Sequence, residues 1–185
     1  ISTKYCESTI EQTDGKIRSI KGTSSQFYIN AQSLVVLLYA LGVPKGNKAR
    51  IPTTVPIWIK DSPLWIKRLY LAGLFGAELT KPCQRKGEEK TFTEPSFSQN
   101  KIVALEQENK SFLLEICTLL QEFGININNL YKQVGIRNKY GEETSKLAIR
   151  ISSQADNLIR LWGAVGYEYC AQRKRESMLA VAYLK

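Results

Sequence analysis

The sequence predicts an α+β fold in which helices cover antiparallel sheets, and three observations support this class. After residue 63 the expected elements follow the order α-β-β-α-β-β-α-α. The segment 104–123 carries apolar residues along one helical face and is followed by Gly124, which favours a helix end. A strand-strand-helix-glycine order occurs twice, over 27–42 and 97–124, and this repetition indicates an internal duplication.

The first sixty residues predict a shortened version of the same pattern. Residues 1–13 are polar and weakly patterned, and a short helix is the expectation there. The segments 16–21 and 26–31 alternate enough to form two strands, and the apolar run 32–41 is typical of a helix. Four prolines then mark 44–63 as an irregular connector.

The remaining residues supply most of the regular structure. Strands are expected over 83–86, 91–98, 130–137 and 146–152. Helices are expected over 63–78, 104–123, 154–164 and 169–184. The expected packing residues of the last helix are Met178, Leu179, Val181, Ala182 and Leu184.

Composition limits the chemistry available to the chain. The 185 residues, 43% of them hydrophobic, fit one domain over 1–185 with its own core. The absence of histidine excludes Ser/His and Cys/His catalysis and histidine zinc sites. Four cysteines without C-x-x-C spacing are neither a zinc site nor a clear disulfide framework, so a cytoplasmic protein is expected. No apolar run is long enough to span a membrane.

Charge is distributed unevenly among the expected elements. Lysine and arginine total 26 against 17 acids, a net charge of +9 that suits a polyanionic partner. Bases concentrate on the expected strands and turns, whereas the helix 104–123 is acidic. A sheet covered by helices on one face would then present a positive open face, which can lie in the major groove of DNA. The candidate DNA-binding residues are Lys16, Arg18, Lys21, Arg85, Lys86, Lys132, Arg137, Lys139, Lys146 and Arg150.

The helix 63–78 contains an unusual stripe of small side chains. Ala72, Gly73, Gly76 and Ala77 share one helical face, and this spacing indicates that another backbone approaches closely. Glycine inside a helix costs about 1 kcal/mol relative to alanine, so the two glycines need a structural reason. Glu78 then places a carboxylate at the helix C-terminus, where cations are favoured.

The residues 71–79 resemble the LAGLIDADG motif of homing endonucleases, including the archaeal intein-type members. The segments 41–48 and 55–59 are similar to the connector found in two-motif members of that family. Gly76 and Leu79 depart from the motif, which has Asp and Gly at those positions. The resemblance covers roughly 14–185.

This resemblance implies a detailed fold. It predicts αββαββα repeats with pseudo-twofold symmetry and saddle-shaped antiparallel sheets covered by helices. Residues 1–60 would be a shortened or degenerate first repeat with its connector, and 61–185 would be the second repeat. A pseudo-symmetric monomer is expected rather than a homodimer.

It also implies an activity: site-specific hydrolysis of double-stranded DNA with a divalent metal. The implied metal ligands are Glu78 and Asp14, with Mg²⁺ as cofactor and Mn²⁺ able to substitute. Lys101 would assist the metal-bound water as a third catalytic residue. Two alternatives remain open: a non-catalytic module of the same fold that binds DNA or RNA, as in an intron maturase, and an interaction domain whose basic face meets protein.

Overall fold

A computed structural model describes most of the chain, namely residues 2–11, 17–26, 30–89, 91–133, 137–138 and 141–185. Contacts divide the chain into two compact units, Ile1–Ala40 and Leu41–Lys185. Both strands and helices are present, so the predicted α+β class is confirmed. No helix in the described ranges combines the length and apolar character needed to cross a membrane.

The first unit contains a long antiparallel ribbon and one helix. Strand β1 (Ser2–Glu11) pairs with β2 (Ile17–Gln26) along its whole length, and α1 covers Gln32–Ala40. The helix is confirmed, but the short helix expected over 1–13 is wrong, because threonine, isoleucine and tyrosine in β1 favour extended backbone. β2 also runs on through the stretch expected to join two shorter strands.

The second unit is built on a three-stranded antiparallel sheet. Its strands are β3 (Ser96–Ile102), β4 (Ile127–Gln133) and β5 (Thr144–Ile151), in the spatial order β3-β5-β4. β5 is therefore the central strand and pairs with both neighbours. Ahead of β3, within 83–89 and 91–95 as the structure describes them, the hairpin expected over 83–98 is reduced to one isolated bridge, between Gln84 and Phe92.

Helices follow the predicted positions closely in this unit. α3 covers Leu64–Glu78 and α4 covers Glu106–Glu122, within a few residues of the expected bounds. The others are α2 (Ile57–Lys60), α5 (Ala155–Ile159) and α6 (Ala171–Leu184). α2 was not expected inside the proline-rich connector, and a π-helical turn over Arg160–Val165 extends α5.

The core lies between one face of the sheet and the helices α3 and α4. The rings of Phe75 on α3 and Phe97 on β3 have centroids 5.8 Å apart, and Phe97 lies 6.4 Å from Phe112 on α4. All three side chains are buried. Because these helices cover one face, the opposite face of the sheet remains open.

The packing face expected for α6 is only partly correct. Met178 and Leu179 are 64% and 65% exposed, whereas Ser177 and Ala180 are buried. Small side chains at positions three residues apart let this helix approach its neighbours closely. The apolar residues beside them therefore point outward.

Acidic residues of α4 pair with lysines of the same unit. Lys60 bonds to Glu115, Lys67 lies 2.6 Å from Glu122, and Lys132 lies 2.7 Å from Glu106. Burial, followed by the charge of Glu115, raises the pKa of the neighbouring Tyr70 to about 12. The glutamates of this helix thus form ion pairs within the unit, in addition to producing the separation of charge predicted from the sequence.

Candidate nucleic-acid interface

The open face of the β3-β5-β4 sheet contains nine residues in three rows across the strands, of which Ala148 is buried. Residues directly opposite each other in paired strands share a face, so the register fixes each row. The rows, written in the order β3-β5-β4, are Ser96-Arg150-Asn129, Ser98-Ala148-Tyr131 and Asn100-Lys146-Gln133. We call these nine residues the open face. Apart from Ala148 they are all polar, and two carry positive charge.

The two cations of the open face lie on the central strand, on either side of the middle row. The Arg150 guanidinium carbon is 4.4 Å from the centre of the Tyr131 ring, a cation–π contact. The same guanidinium is 3.8 Å from the Glu94 carboxylate. The Ser96 hydroxyl, followed by Arg150 and Lys146, lowers the pKa of the Tyr131 hydroxyl.

Among the predicted DNA-binding residues that the structure describes in the second unit, Lys146 and Arg150 lie together on this face. Lys132 lies opposite Leu147 and therefore faces the helices, where it pairs with Glu106. Lys86 is exposed in the loop before β3.

Three of the other predicted bases form ion pairs elsewhere. These pairs are Lys21 with Glu7, Arg85 with Glu88 and Arg137 with Glu143. Arg18 lies on β2, and Lys16 and Lys139 lie outside the described residues.

Of the two predicted metal ligands, Glu78 and Asp14, the structure describes Glu78. Glu78 ends α3 as expected, but its carboxylate bonds to the ammonium group of Lys48. Asp14, the other predicted ligand, lies outside the described residues. Among the residues that the structure describes, no three His, Cys, Asp or Glu side chains come together as metal ligands would. Because Mg²⁺ usually takes only one or two carboxylates and Asp14 is not described, the predicted Mg²⁺ site stays a prediction, and no step is assigned to a metal here.

Lys101 is buried, and its ammonium group donates hydrogen bonds to three acceptors of the protein. Its ammonium donates to the carbonyls of Lys48 at 2.6 Å and Ile51 at 2.7 Å, and to the Thr53 hydroxyl at 2.7 Å. Burial, followed by the charge of Lys48, lowers the pKa of this ammonium. The geometry gives Lys101 the task of holding 48–53 in place, and it does not support the predicted assistance to a metal-bound water.

The small residues of α3 do meet a close backbone, but that backbone is not a second helix. A Cβ atom on Gly76 would lie 2.1 Å from the carbonyl oxygen of Glu168, and one on Gly73 would lie 3.7 Å from the Tyr169 ring. The Glu168 amide donates to the carbonyl of Ala72 at 2.9 Å. The segment 167–170, between α5 and α6, is therefore the partner. Ala72 is buried beneath it and Ala77 is exposed.

Most residues of the open face were not among the predicted DNA-binding residues. Seven of its nine members are uncharged, and only the pairing of strands brings them together. The usable signal was the alternation within 145–151, which places Lys146, Ala148 and Arg150 on one side of a strand.

Comparison with known proteins identifies relatives of this chain. No protein-family model matches the chain. The tRNA-splicing ligase RtcB of Methanopyrus kandleri is 36% identical over 176 residues, which is 95% of this chain but 17% of that ligase. The tRNA-splicing ligase RtcB of Pyrococcus furiosus is 34% identical over 174 residues, 94% of this chain and 17% of the ligase.

A relative with a different name matches over the same extent. The DNA-directed RNA polymerase subunit Rpo1N of Methanocaldococcus jannaschii is 33% identical over 177 residues, which is 96% of this chain and 12% of that subunit. The chain thus spans 17% or less of the length of each of these three relatives.

These findings contradict the resemblance to LAGLIDADG homing endonucleases. The relatives are named tRNA-splicing ligases and an RNA polymerase subunit, and no family model supports the motif. The prediction of a metal-dependent DNA endonuclease is therefore wrong, and so is the alternative of a non-catalytic module of the same family. The glycines that suggested the motif have a structural explanation, the close contact of Gly76 with Glu168. Gly76 and Leu79 already departed from the pattern.

Proposed function

We propose that this chain is a nucleic-acid-contacting segment of a larger protein, and that in a protein of the tRNA-splicing ligase kind the nucleic acid is RNA. The open face is the observation that carries the proposal. Its polar rows contain two cations and no acid, and they lie on a rigid sheet backed by the core. Phosphate contacts from lysine and arginine supply most of the affinity of such interfaces.

The arrangement of the open face suits a nucleic-acid strand. Lys146 and Arg150 are four residues apart on β5, a spacing of about 13 Å at the usual rise of a strand. Tyr131 lies in the row between them. Cations on both sides can hold phosphates, while the ring offers a surface on which a base can stack.

Amide side chains give the same face its hydrogen-bonding groups. Asn100, Asn129 and Gln133 are exposed, and each offers both donors and acceptors. Such groups can bond to base edges or to the 2′-hydroxyl of RNA.

The relatives support a binding task rather than ligation itself. The same segment occurs in ligases and in a polymerase subunit, whose names denote different reactions. A role common to both kinds of protein is contact with nucleic acid. We therefore assign the joining chemistry of a ligase relative to the larger part that this chain does not match.

The experiment compares two charge reversals in the whole chain. Lys146→Glu alters the open face, whereas Lys110→Glu makes the same change on α4, which covers the opposite face of the sheet. Binding of a tRNA transcript is measured against salt concentration by fluorescence anisotropy, with a DNA duplex of equal length as the second ligand.

We expect Lys146→Glu to weaken binding and to lower the slope of log K against log salt by about 0.7–0.9, since one phosphate contact is lost. Lys110→Glu should leave the slope unchanged. Tighter binding of tRNA than of duplex DNA would support the assignment to RNA, and the reverse order would contradict it. Equal effects of the two variants would refute the open face as the interface.

A further inference from the structure

A cleft of about 330 Å³ lies between α6 and the segment 82–92. Its lining shares no residue with the open face. Apolar and aromatic side chains form most of its walls, including Phe92, Leu179 and Tyr183. Glu176 is the single charged residue of the lining. In a chain with a net charge of +9, this cleft therefore has the opposite polarity to the molecule as a whole.

The aromatic walls are held firmly. The Phe92 ring meets Trp162 edge-on, with centroids 5.1 Å apart, and Trp162 is almost fully buried. The Tyr183 ring stands at 77° to Phe92 with centroids 6.3 Å apart. Both rings belong to the lining of the cleft. An aromatic face attracts cations through its negative quadrupole.

The carboxylate of Glu176 is only partly satisfied. Its Oε1 atom accepts a hydrogen bond from the Gln172 amide at 2.9 Å, and the ammonium of Lys81 is 3.7 Å away. Lys81 is 58% exposed, so this ion pair is weakened by solvent. The Oε2 atom is buried and has no hydrogen-bond partner among the described residues. A buried acceptor without a partner costs free energy, so the carboxylate as a whole is poorly compensated.

We infer that this cleft binds an organic cation, an ammonium or guanidinium group on an apolar stem. The cationic group would donate to the Glu176 carboxylate, and the stem would lie against Phe92, Leu179 and Tyr183. The volume is at the lower end of the range for small-molecule sites, which suits a single side chain or a small free cation. An anion would meet the negative carboxylate with no base in the lining to offset it.

The experiment titrates the whole chain with butylguanidinium and with butylurea, its neutral counterpart of similar shape. Chemical shifts of the backbone amides, followed by NMR, locate the binding site and give its affinity. We expect butylguanidinium to bind with a Kd of about 1 mM, as befits a ligand of few atoms, and to shift the amides of Leu179 and Ala180. Butylurea should bind at least about tenfold more weakly, because it cannot form a charge-assisted hydrogen bond.

Three variants test the assignment to Glu176. Glu176→Gln keeps the shape of the cleft and should weaken butylguanidinium binding at least about tenfold. Glu88→Gln, a matched change on an exposed loop, should not affect it. Leu179→Arg replaces an exposed residue, so folding is retained, and its side chain should fill the cleft and abolish binding. Full affinity in Glu176→Gln, or equal binding of the urea, would overturn the inference.

The source of the cation is distinguished by a second ligand, the peptide acetyl-Gly-Arg-Gly-amide. Tighter binding of the peptide than of butylguanidinium would identify an arginine side chain of a partner protein as the occupant. Binding of butylguanidinium alone would identify a free small cation. Absence of binding by both would overturn the proposal, whatever the outcome for the open face.

Discussion

Substituting Gly76 by alanine tests its close contact with the Glu168 backbone, and Gly73 offers a matched control in the same helix. A Cβ atom at Gly76 would lie 2.1 Å from the carbonyl oxygen of Glu168, whereas one at Gly73 would make an ordinary 3.7 Å contact. Ordinary contacts begin at 3.4 Å, so the Glu168 carbonyl has to move by more than about 1 Å. That movement disturbs the 2.9 Å hydrogen bond from the Glu168 amide to Ala72.

The expected changes in unfolding free energy have opposite signs at Gly73 and Gly76. Alanine stabilises a helix interior by about 1 kcal/mol relative to glycine, so Gly73→Ala should raise the unfolding free energy by about that amount. Gly76→Ala gains the same term but incurs overpacking of about 1–3 kcal/mol and weakens a hydrogen bond of about 1 kcal/mol. The net expectation is a loss of about 1–3 kcal/mol.

Thermal unfolding followed by circular dichroism separates the two cases. For a chain of this length, 1 kcal/mol corresponds to about 2–4 °C in Tm. Gly73→Ala should therefore unfold a few degrees above the unmodified chain and Gly76→Ala several degrees below it. If both variants gain stability equally, segment 167–170 does not lie against α3 as described, and the reasoning fails.

Two further predictions concern buried and paired charges. Lys101→Met removes the ammonium that three acceptors share, so urea unfolding should show a loss of about 2–3 kcal/mol, with faster amide exchange over 48–53; unchanged exchange would contradict the role assigned to Lys101. The contacts of Glu168 with Lys174 and then Arg68 lower its carboxyl pKa below the usual value of 4.5. Its stabilising contribution is thus present above that value and is lost as the pH falls through the lowered pKa. Glu168→Gln should flatten the acid side of the stability curve, and an unchanged curve would refute this.

The helices α3 and α4 could be predicted because each carries its own signal. Their apolar residues recur at helical spacing over fifteen or more positions, and the structure places their bounds within a few residues of the expected ones. β1 and α2 were missed for the opposite reason. β1 is a polar strand stabilised by pairing with β2, and α2 is a single turn inside a proline-rich connector. Such elements depend on contacts with residues distant in sequence, which the local sequence pattern does not reveal.

The candidate site could be predicted only in part. Lys146 and Arg150 were identified as bases on one strand, but their relation to Tyr131 depends on the register between β4 and β5. The same register turns Lys132 toward the helices, although its sequence context resembles that of the other bases. Successive residues of a strand lie on opposite faces of the sheet. Counting charges could therefore identify the candidate bases, but it could not show which of them lie on the open face.

The motif interpretation failed for a related reason. Glycines in a helix report a close approach without stating what approaches. In α3 the approaching group is the backbone of the segment 167–170, almost a hundred residues later in the chain. A short motif therefore gave the correct local geometry and the wrong family.

The strand order β3-β5-β4 also determines when the sheet can form. β4 and β5 are neighbours in sequence and can pair as a local hairpin, but β3 lies next to neither of them along the chain. On a ribosome, β3 emerges before its partner strand β5, and it can complete this pairing only once residue 150 has been made. Closing that long loop is the slow step by contact-order reasoning. Until then the nascent chain exposes Phe97 and the apolar face of α4, and exposed apolar surface of this kind promotes aggregation.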